Sequence, residues 1–239
     1  MIRRLMFLFA ILLCSLTVVP TRGYNPAYQI DAVAGSTPNI DGVMTSDEWN
    51  DASIVSDLGV YAKQDGRSLY VAFNVSDNTV EMQDAVAIFV DLENNGGAGP
   101  QPDDFLFGIL RSGQLIERQG SNDSGPPSGG WSGSASSTGN LWQAEFNITY
   151  AKIGITPGEA KTLGMALEKW NFVVGYPFFW PPMTPAESNS PSNWGNMVSE
   201  QTWLPEFPSF LALPLFMLLT MVAIVFMQRR IPRKQKNNR

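Results

Sequence analysis

Bulky apolar side chains alternate with smaller or polar ones along several short segments of the chain. From Leu69 to Val75 they occupy every second position, so they share one face of a predicted β-strand. Other segments are apolar on nearly both faces, which is typical of strands buried inside a sandwich. The pattern predicts strands at residues 68–75, 85–91, 104–110, 141–148 and 163–170.

The segments between these strands are rich in Gly, Ser, Pro, Asn and Asp, and no long amphipathic helix is predicted. Turn pairs such as Asp65-Gly66 and Asn95-Gly96 favour hairpins. Residues 121–140 and 176–196 are predicted to be long loops at the rim. Residues 24–203 have a length that suits one domain. We predict that this domain is an all-β antiparallel β-sandwich of the immunoglobulin or jelly-roll type.

Both ends of the chain carry apolar runs that predict export and membrane anchoring. Arg3 and Arg4 precede the first run and a polar exit follows it, so residues 1–23 are predicted to be a secretory signal peptide. A buried core helix or an uncleaved anchor are the alternatives. Residues 209–227 carry no charge and, as a helix, would cross about 30 Å of hydrocarbon, which predicts one transmembrane helix.

The distribution of charge predicts the orientation of the chain. Its 239 residues have a net charge of -6, but residues 24–206 hold all 22 acids and only seven of the 16 cations. Basic residues beside a span stay in the cytoplasm, so the tail 228–239 is predicted to lie inside and the acidic domain at the cell surface. Such an acidic domain repels phosphate backbones, which excludes nucleic acid as the partner.

The sequence contains no histidine, and its single cysteine, Cys14, lies in the N-terminal apolar run. These absences exclude Ser-His-Asp and Cys-His catalysis, His-ligated zinc and a disulfide within the domain. Asp103 and Asp104 are a poor acid–base pair if both lie on one strand, because neighbouring residues of a strand point to opposite faces. We therefore predict no catalytic residue and no enzyme activity.

An acidic segment follows the predicted strand 85–91, where oxygen-bearing side chains stand at alternate positions before a glycine turn. Hard oxygen ligands around a tight turn suit Ca2+. Pro102 occupies the place of the closing Glu of an EF-hand, so an EF-hand is not predicted. A polar hairpin with solvated carboxylates is the alternative to a structural calcium site. The predicted calcium ligands are Asp91, Glu93, Asn95, Asp103 and Asp104.

Aromatic residues in the predicted loops are candidates for sugar binding, because sugars lay their apolar C–H faces on aromatic rings. Trp49, Trp142 and Trp170 lie within patterned segments and are predicted to be core residues. Trp203, next to the predicted span, is predicted to be a membrane-interface anchor. The rings that remain could instead merely cover the end of the sandwich. The predicted sugar-stacking residues are Trp131, Tyr176, Phe178, Phe179 and Trp180.

Three Asn-X-Ser/Thr triplets are predicted N-glycosylation sites in an exported chain. They begin at Asn74, Asn122 and Asn147. A triplet on a strand can be modified only if its Asn faces solvent.

Short motifs follow one another in a fixed order through the domain. They are Ile40-Asp41-Gly42-Val43, Asp47-Glu48-Trp49, Ser68 to Ala72, Ala85 to Asp91 with its acidic loop, Asp103-Asp104-Phe105, Trp142 to Phe146, and Pro191 to Gly195. Together they resemble the family 9 carbohydrate-binding modules, relatives of the DOMON-like sandwiches. The resemblance implies an extracellular β-sandwich that binds sugars, often with structural calcium, and a structural role for Trp194. It supports the fold more firmly than the function.

The segment before the predicted span is Pro205-Glu206-Phe207-Pro208, within a Pro-rich stem, 204–208. The order of this motif, an apolar helix and a basic end resembles the PEF-type sorting tails of archaeal surface proteins. That resemblance implies a sortase-like membrane enzyme that exchanges the tail for a lipid anchor. An ordinary single-pass anchor is the alternative.

The leading functional prediction is a non-catalytic, surface-anchored module that binds a glycan or polysaccharide. The alternative is a structural or adhesive envelope protein that meets other surface proteins through its aromatic loops. A third hypothesis, an electron carrier of the DOMON type, is disfavoured because haem ligands in that family normally include histidine, so no haem is expected.

Overall fold

The computed structural model describes residues 27–55, 57–199 and 203. The chain divides into two units, Met1–Leu204 and Pro205–Arg239, and every described residue lies in the first. The predicted signal peptide, stem, transmembrane helix and basic tail therefore fall outside the described residues. No helix in the described part of the chain is long and apolar enough to cross a membrane.

The described residues form two β-sheets with only short helical turns. The strands are β1 (Gln29–Asp31), β2 (Val33–Ala34), β3 (Ser53–Val55), β4 (Val60–Gln64), β5 (Ser68–Ser76), β6 (Ala85–Asp91), β7 (Asp104–Leu110), β8 (Leu115–Gln119), β9 (Trp131–Thr138), β10 (Leu141–Thr149), β11 (Leu163–Asn171), β12 (Tyr176–Trp180) and β13 (Gly195–Val198). The helical turns are α1 (Ser46–Trp49), α2 (Pro185–Ser188) and a 3-10 turn (Pro191–Asn193).

The first sheet has the strand order β1-β13-β11-β6-β7-β8, and β12 pairs with β11. The second sheet has the order β2-β4-β5-β10-β9, and β3 pairs with β4. Adjacent strands are antiparallel except in the short pairs β1–β13 and β2–β4, which are parallel. The predicted β-sandwich is therefore confirmed, with a small parallel contribution that the sequence pattern did not indicate.

The core lies between the two sheets and contains the alternating face that the sequence predicts for β5. Leu69, Val71 and Phe73 are fully buried there. They lie beside Phe146 of the neighbouring strand β10 and share one apolar cluster with the fully buried Val86 and Ile88 of β6 in the other sheet. All five strands predicted from the apolar pattern are present, each within one residue of its predicted bounds.

The two predicted long loops are wrong in part. Residues 131–138 form β9, which pairs with β10 along its whole length. Residues 176–180 form β12, whose Pro177 is tolerated because β12 pairs only with β11. These two strands were not predicted because β9 is rich in Gly and Ser and β12 contains Pro, so neither shows the apolar alternation on which the prediction relied.

A buried carboxylate fastens the segment before α1 to the outer face of the second sheet. Glu145 of β10 accepts hydrogen bonds from the backbone N–H of Gly42 (2.7 Å) and Asp41 (3.1 Å) and from the indole N–H of Trp49 (2.8 Å). Gly42 has a φ of +89°, and a Cβ there would come within 2.6 Å of the backbone of Ala135. Three of the ordered sequence motifs thus meet in one hydrogen-bonded network.

Candidate functional site

The acidic loop after β6 brings three carboxylates together at one end of the sandwich. Oxygen atoms of Asp91, Asp103 and Asp104 lie within 4.8 Å of one another. Asp103 precedes β7 rather than lying on it, so the alternation of a strand does not separate it from Asp104. The sequence-based argument that these two side chains point to opposite faces is therefore wrong.

The loop itself is held in place by a local network. Asp91 accepts the backbone N–H of Gly96 at 3.0 Å, and Asp103 accepts the side-chain amide of Asn95 at 3.1 Å. Gln101 donates to the side-chain oxygen of Asn95 at 2.8 Å. Asn95 therefore acts as a brace between neighbours, and the exposed Glu93 lies outside the three-carboxylate cluster. Of the five predicted calcium ligands, the three aspartates converge, the side chain of Asn95 contacts one of them, and Glu93 lies outside the cluster.

The donor set nevertheless fits a hard cation. Asp104 is buried, and although Gln101 N–H donates to its Oδ2 at 2.5 Å, its Oδ1 has no hydrogen-bond partner among the described residues. Burial, together with the charges of Asp91 and Asp103, raises the pKa of Asp104 to about 7. A divalent cation would satisfy the unpartnered oxygen and offset the mutual repulsion of the carboxylates.

The opposite end of the sandwich is apolar and exposed. It is formed by the loop 77–84, the turn at 139–140 and the hairpin between β11 and β12, and we call it the apolar end. Backbone and side-chain hydrogen bonds join these segments: Asp77 N–H donates to Asn140 O at 2.7 Å, and Asn171 donates to Asp77 at 2.9 Å. Most of the exposed large apolar side chains among the described residues lie here: Val80, Met82, Leu141, Phe172, Val173, Val174, Tyr176 and Phe178.

The predicted sugar-stacking residues divide between this surface and the interior. Tyr176 is 49% exposed and Phe178 is 55% exposed. They are two positions apart on β12, so they share the face of the sheet that carries Lys169 and Asn171. Phe179 and Trp180 are each only 9% exposed. Phe179 packs on Phe89, with ring centroids 6.4 Å apart, and Trp180 meets Tyr28 edge to face at 6.2 Å.

Trp131 begins β9 and lies in the core, which corrects its assignment to a loop platform. Its ring lies between Phe107 and Phe146, at centroid distances of 5.2 and 6.1 Å. Its indole N–H donates to Glu117 at 2.7 Å. Because protein covers the rings of Trp131, Phe179 and Trp180, these three side chains are packing residues in this structure.

A small pocket of about 90 Å3 opens beside Phe178 at the apolar end. Residues of both sheets line it: Val75, Ser76, Asp77, Ala85, Trp142, Lys169, Trp170, Asn171 and Phe178. The indole N–H of the buried Trp142 has no acceptor within the described residues. Burial lowers the pKa of Lys169. The pocket therefore offers aromatic surface together with amide, carboxylate and ammonium groups.

A buried ionic cluster fixes the loop 77–84 beneath the apolar end. Arg111 lies 3.7 Å from Asp77 and 3.5 Å from Asp84, and its guanidinium donates to Gly139 O at 2.7 Å. Asp84 accepts the backbone N–H of Phe172 at 2.9 Å. Burial and the neighbouring Asp77 raise the pKa of Asp84. These contacts hold the exposed apolar side chains on a braced framework rather than on a free loop.

The exposed run Phe172-Val173-Val174 was missed by sequence reasoning. It lies between the predicted strand 163–170 and the predicted loop 176–196. Its only sequence signal is three apolar residues placed directly before Gly175 in a turn. Trp203 was also misassigned: it is fully buried, meets Tyr150 edge to face at 5.4 Å, and donates to Lys161 O at 3.0 Å.

The predicted glycosylation sites differ in exposure. Asn74 and Asn122 are exposed. Asn147 is partly buried on β10, and its side-chain oxygen is buried with no partner in the described part of the chain.

Comparison with known proteins supports the fold. No protein-family model and no curated protein sequence matches the chain. Two solved structures of a family 9 carbohydrate-binding module from Caldicellulosiruptor kristjanssonii are similar to it. The complex with cellotriose has a TM-score of 0.52 and the complex with glucose 0.53, each at 18% identity over 72% of this chain. The matches cover 93% and 95% of the two modules. The chain thus shares the β-sandwich fold of this module over nearly the whole length of the module.

Proposed function

We propose that this chain is a non-catalytic carbohydrate-binding domain displayed at the cell surface, and that it contacts its glycan with the apolar end. The observation that carries the proposal is the pair of exposed rings, Tyr176 and Phe178, beside a pocket with polar groups. Solved structures of the same fold hold cellotriose and glucose, which supports a saccharide as the ligand class.

The size of the pocket indicates how a sugar would bind. At about 90 Å3 it is far smaller than the roughly 300–1,000 Å3 clefts that enclose whole ligands. A sugar ring would therefore lie on Phe178 and Tyr176 and place one polar substituent in the pocket. Lys169 lines the pocket and can donate a hydrogen bond to that substituent, whereas the side-chain amide of Asn171 already donates to Asp77 and Thr79.

The last described residue, Trp203, lies at the end of the sandwich opposite the apolar end. Trp203 packs on Tyr150, which lies beside the start of β5, whereas the apolar end follows the last residue of β5. The nine residues of β5 separate these two ends by roughly 25 Å.

A glycan array probed with the full-length chain in detergent tests the proposal. We expect binding that Phe178→Ala weakens by about 1–3 kcal/mol, the value of one aromatic contact. Val43→Ala is the matched control, because Val43 is also exposed but lies in the segment that covers the outer face of the second sheet. Absence of binding to every glycan, or equal loss in both variants, would refute binding at the apolar end.

One observation favours a second function. Phe172, Val173 and Val174 form a run of exposed apolar residues that is larger than sugar stacking requires. Such a surface suits another surface protein, as an adhesive envelope protein would need. If Val173→Asp abolishes recovery of a cross-linked partner from intact cells, and the chain binds no glycan, the adhesive function is the correct one.

We also propose that Asp91, Asp103 and Asp104 bind a structural calcium ion. Its charge would hold the acidic loop against β7 and remove the repulsion among the carboxylates. A ligand that binds only the native state at 100 times its Kd stabilises by about 2.7 kcal/mol. That corresponds to a rise in Tm of roughly 5–10 °C for a domain of this size.

Thermal melting in calcium and in a chelator tests this site. We expect the difference in Tm to disappear in Asp103→Asn and to persist in Glu93→Gln, which removes an exposed carboxylate outside the cluster. Identical melting curves of the unmodified chain in the two buffers would count against calcium binding.

A further inference from the structure

A groove of about 270 Å3 crosses the outer face of the second sheet, away from the apolar end pocket. The segment around α1 forms one wall, and strands β3, β4, β5 and β10 form its floor. Its lining includes Met44, Trp49, Ile54, Tyr61, Asn74 and Gln143.

Part of this floor is apolar and open. Ile54 of β3 pairs with Tyr61 of β4, so both side chains lie on the same face. Ile54 is 60% exposed. The buried Trp49 supports Tyr61 from the side, with ring centroids 6.4 Å apart. The result is a rigid aromatic and aliphatic surface next to hydroxyl and amide groups.

Asn74 stands at the edge of this surface. It pairs with Gln143 across β5 and β10, and the Gln143 side-chain amide donates to Asn74 Oδ1 at 3.3 Å. Gln143 is itself fixed, because its oxygen accepts the backbone N–H of Met44 at 3.1 Å. The side-chain oxygen of Asn74 is thus occupied, and its amide nitrogen has no hydrogen-bond partner among the residues that the structure describes.

Asn74 also begins the triplet Asn74-Val75-Ser76. Asn74 and Ser76 are both exposed on the outer face, whereas Val75 points into the core. Asn122 is exposed too, but the hollow beside it is lined by Pro100 and Pro102 and contains no aromatic ring. Of the three triplets, only the one at Asn74 combines an exposed amide with an adjacent aromatic groove.

We propose that Asn74 carries an N-linked glycan whose first sugar ring lies in this groove over Tyr61 and Ile54. A transferase in the export pathway would use a polyprenyl-phosphate-linked glycan as the donor. The amide nitrogen of Asn74 forms a bond to C1 of the sugar, the bond from C1 to the phosphate oxygen breaks, and the amide loses one proton. The lipid-linked phosphate is the leaving group.

The attached sugar stabilises the fold because it covers apolar surface that is otherwise exposed. Its attachment gives it a high effective concentration at the groove, so weak stacking on Tyr61 is sufficient. This inference does not depend on glycan binding at the apolar end, and either one can fail without the other.

The test uses full-length protein purified from the cells that naturally produce it. Mass spectrometry of the peptide that contains Asn74 is expected to show the glycan. Ser76→Ala removes the triplet but keeps the Asn74 amide and its contact with Gln143, and we expect it to lower Tm by roughly 2–4 °C. Ser124→Ala removes the triplet at Asn122 in the same way and is expected to leave Tm unchanged.

A third variant tests the role of the groove. In a Tyr61→Ala background Asn74 remains glycosylated, but the further change Ser76→Ala no longer lowers Tm. An unmodified Asn74 peptide, or equal Tm values for Ser76→Ala and Ser124→Ala, overturns the proposal. So does binding of a free monosaccharide in the groove of the wild-type protein, because an attached sugar would block it.

Discussion

Strand β12 carries both exposed and buried aromatic rings, so substitutions in this one strand test both the fold and the site. Phe178 is 55% exposed at the apolar end, and Trp180, two residues later, is 9% exposed. The indole of Trp180 packs so closely on the chain that a Cβ at Gly195 would come within 2.8 Å of it. Replacing each ring with Ala should therefore have opposite consequences.

Trp180→Ala should cost about 3–5 kcal/mol of stability, the usual cost of deleting a large aromatic side chain from a core. That is a large part of a typical domain stability of roughly 5–15 kcal/mol. Phe178→Ala should change stability by less than about 0.5 kcal/mol, because its ring is mostly in water. Only Phe178→Ala should weaken glycan binding in a protein that remains folded.

Urea unfolding followed by far-UV circular dichroism measures the stability difference in the full-length chain. Trp142→Ala is the reference for a core tryptophan, because Trp142 is 1% exposed, and it should lose a similar amount. If Trp180→Ala retained its stability within about 1 kcal/mol and lost glycan binding instead, Trp180 would be a ligand platform. The packing described for β12 would then be incorrect.

Three other substitutions test structural claims. Glu145→Ala leaves the N–H groups of Asp41, Gly42 and Trp49 without their acceptor. We expect the free energy of unfolding, measured by chemical denaturation, to fall by about 3–5 kcal/mol. A decrease below about 1 kcal/mol would contradict the network. Although burial opposes its ionisation, hydrogen bonds led by that from Lys152 (2.7 Å) lower the pKa of Glu117 from 4.5 to about 2. This contribution is complete above pH 4.5 and is lost as the pH falls towards 2, so the stability of Glu117→Gln should fall less steeply over that range than that of the wild type. Trp203→Ala should lower Tm because Trp203 is a core residue; an unchanged Tm would restore its assignment as an interface anchor.

The strands that the sequence predicts are those with a strong apolar pattern. In β5, β6 and β7 that pattern follows directly from burial, because the core demands apolar side chains at these positions. Strand β9 was not predicted, because its pairing with β10 requires only backbone groups and therefore no apolar pattern in its sequence. Gly133 is needed there for space: a Cβ would come within 2.5 Å of Ile109. A steric demand of this kind comes from residues distant in sequence.

The site was predictable only in its residue types. The clustering of Asp91 with Asp103 and Asp104 follows from a hairpin between β6 and β7, so proximity in the sequence was sufficient. Which aromatic rings face water could not be predicted, because a ring in a Gly- and Pro-rich segment has the same local composition whether it covers the core or faces solvent. Trp131 and Phe178 illustrate the two outcomes.

The motifs that carry the family resemblance encode structure more than ligand recognition. Asp41, Gly42 and Trp49 converge on Glu145, and Trp194 donates its indole N–H to Ser188 O at 2.9 Å in a buried position. The backbone N–H groups of Asp41 and Gly42 and the indoles of Trp49 and Trp194 thus hold parts of the fold together. These motifs therefore predict the fold without identifying the ligand.

At the apolar end, none of the exposed residues of the hairpin between β11 and β12 belongs to a motif. Phe172, Val173 and Val174 are set on a braced turn, and Asp84 accepts the backbone N–H of the first of them. Buried charged groups thus hold the framework under the hairpin, whereas the exposed side chains of the hairpin take no part in these contacts. Under the proposed binding at the apolar end, substitutions of the hairpin tip and of Phe178 should alter ligand specificity in this chain, since they change the contact surface without disturbing the network around Glu145.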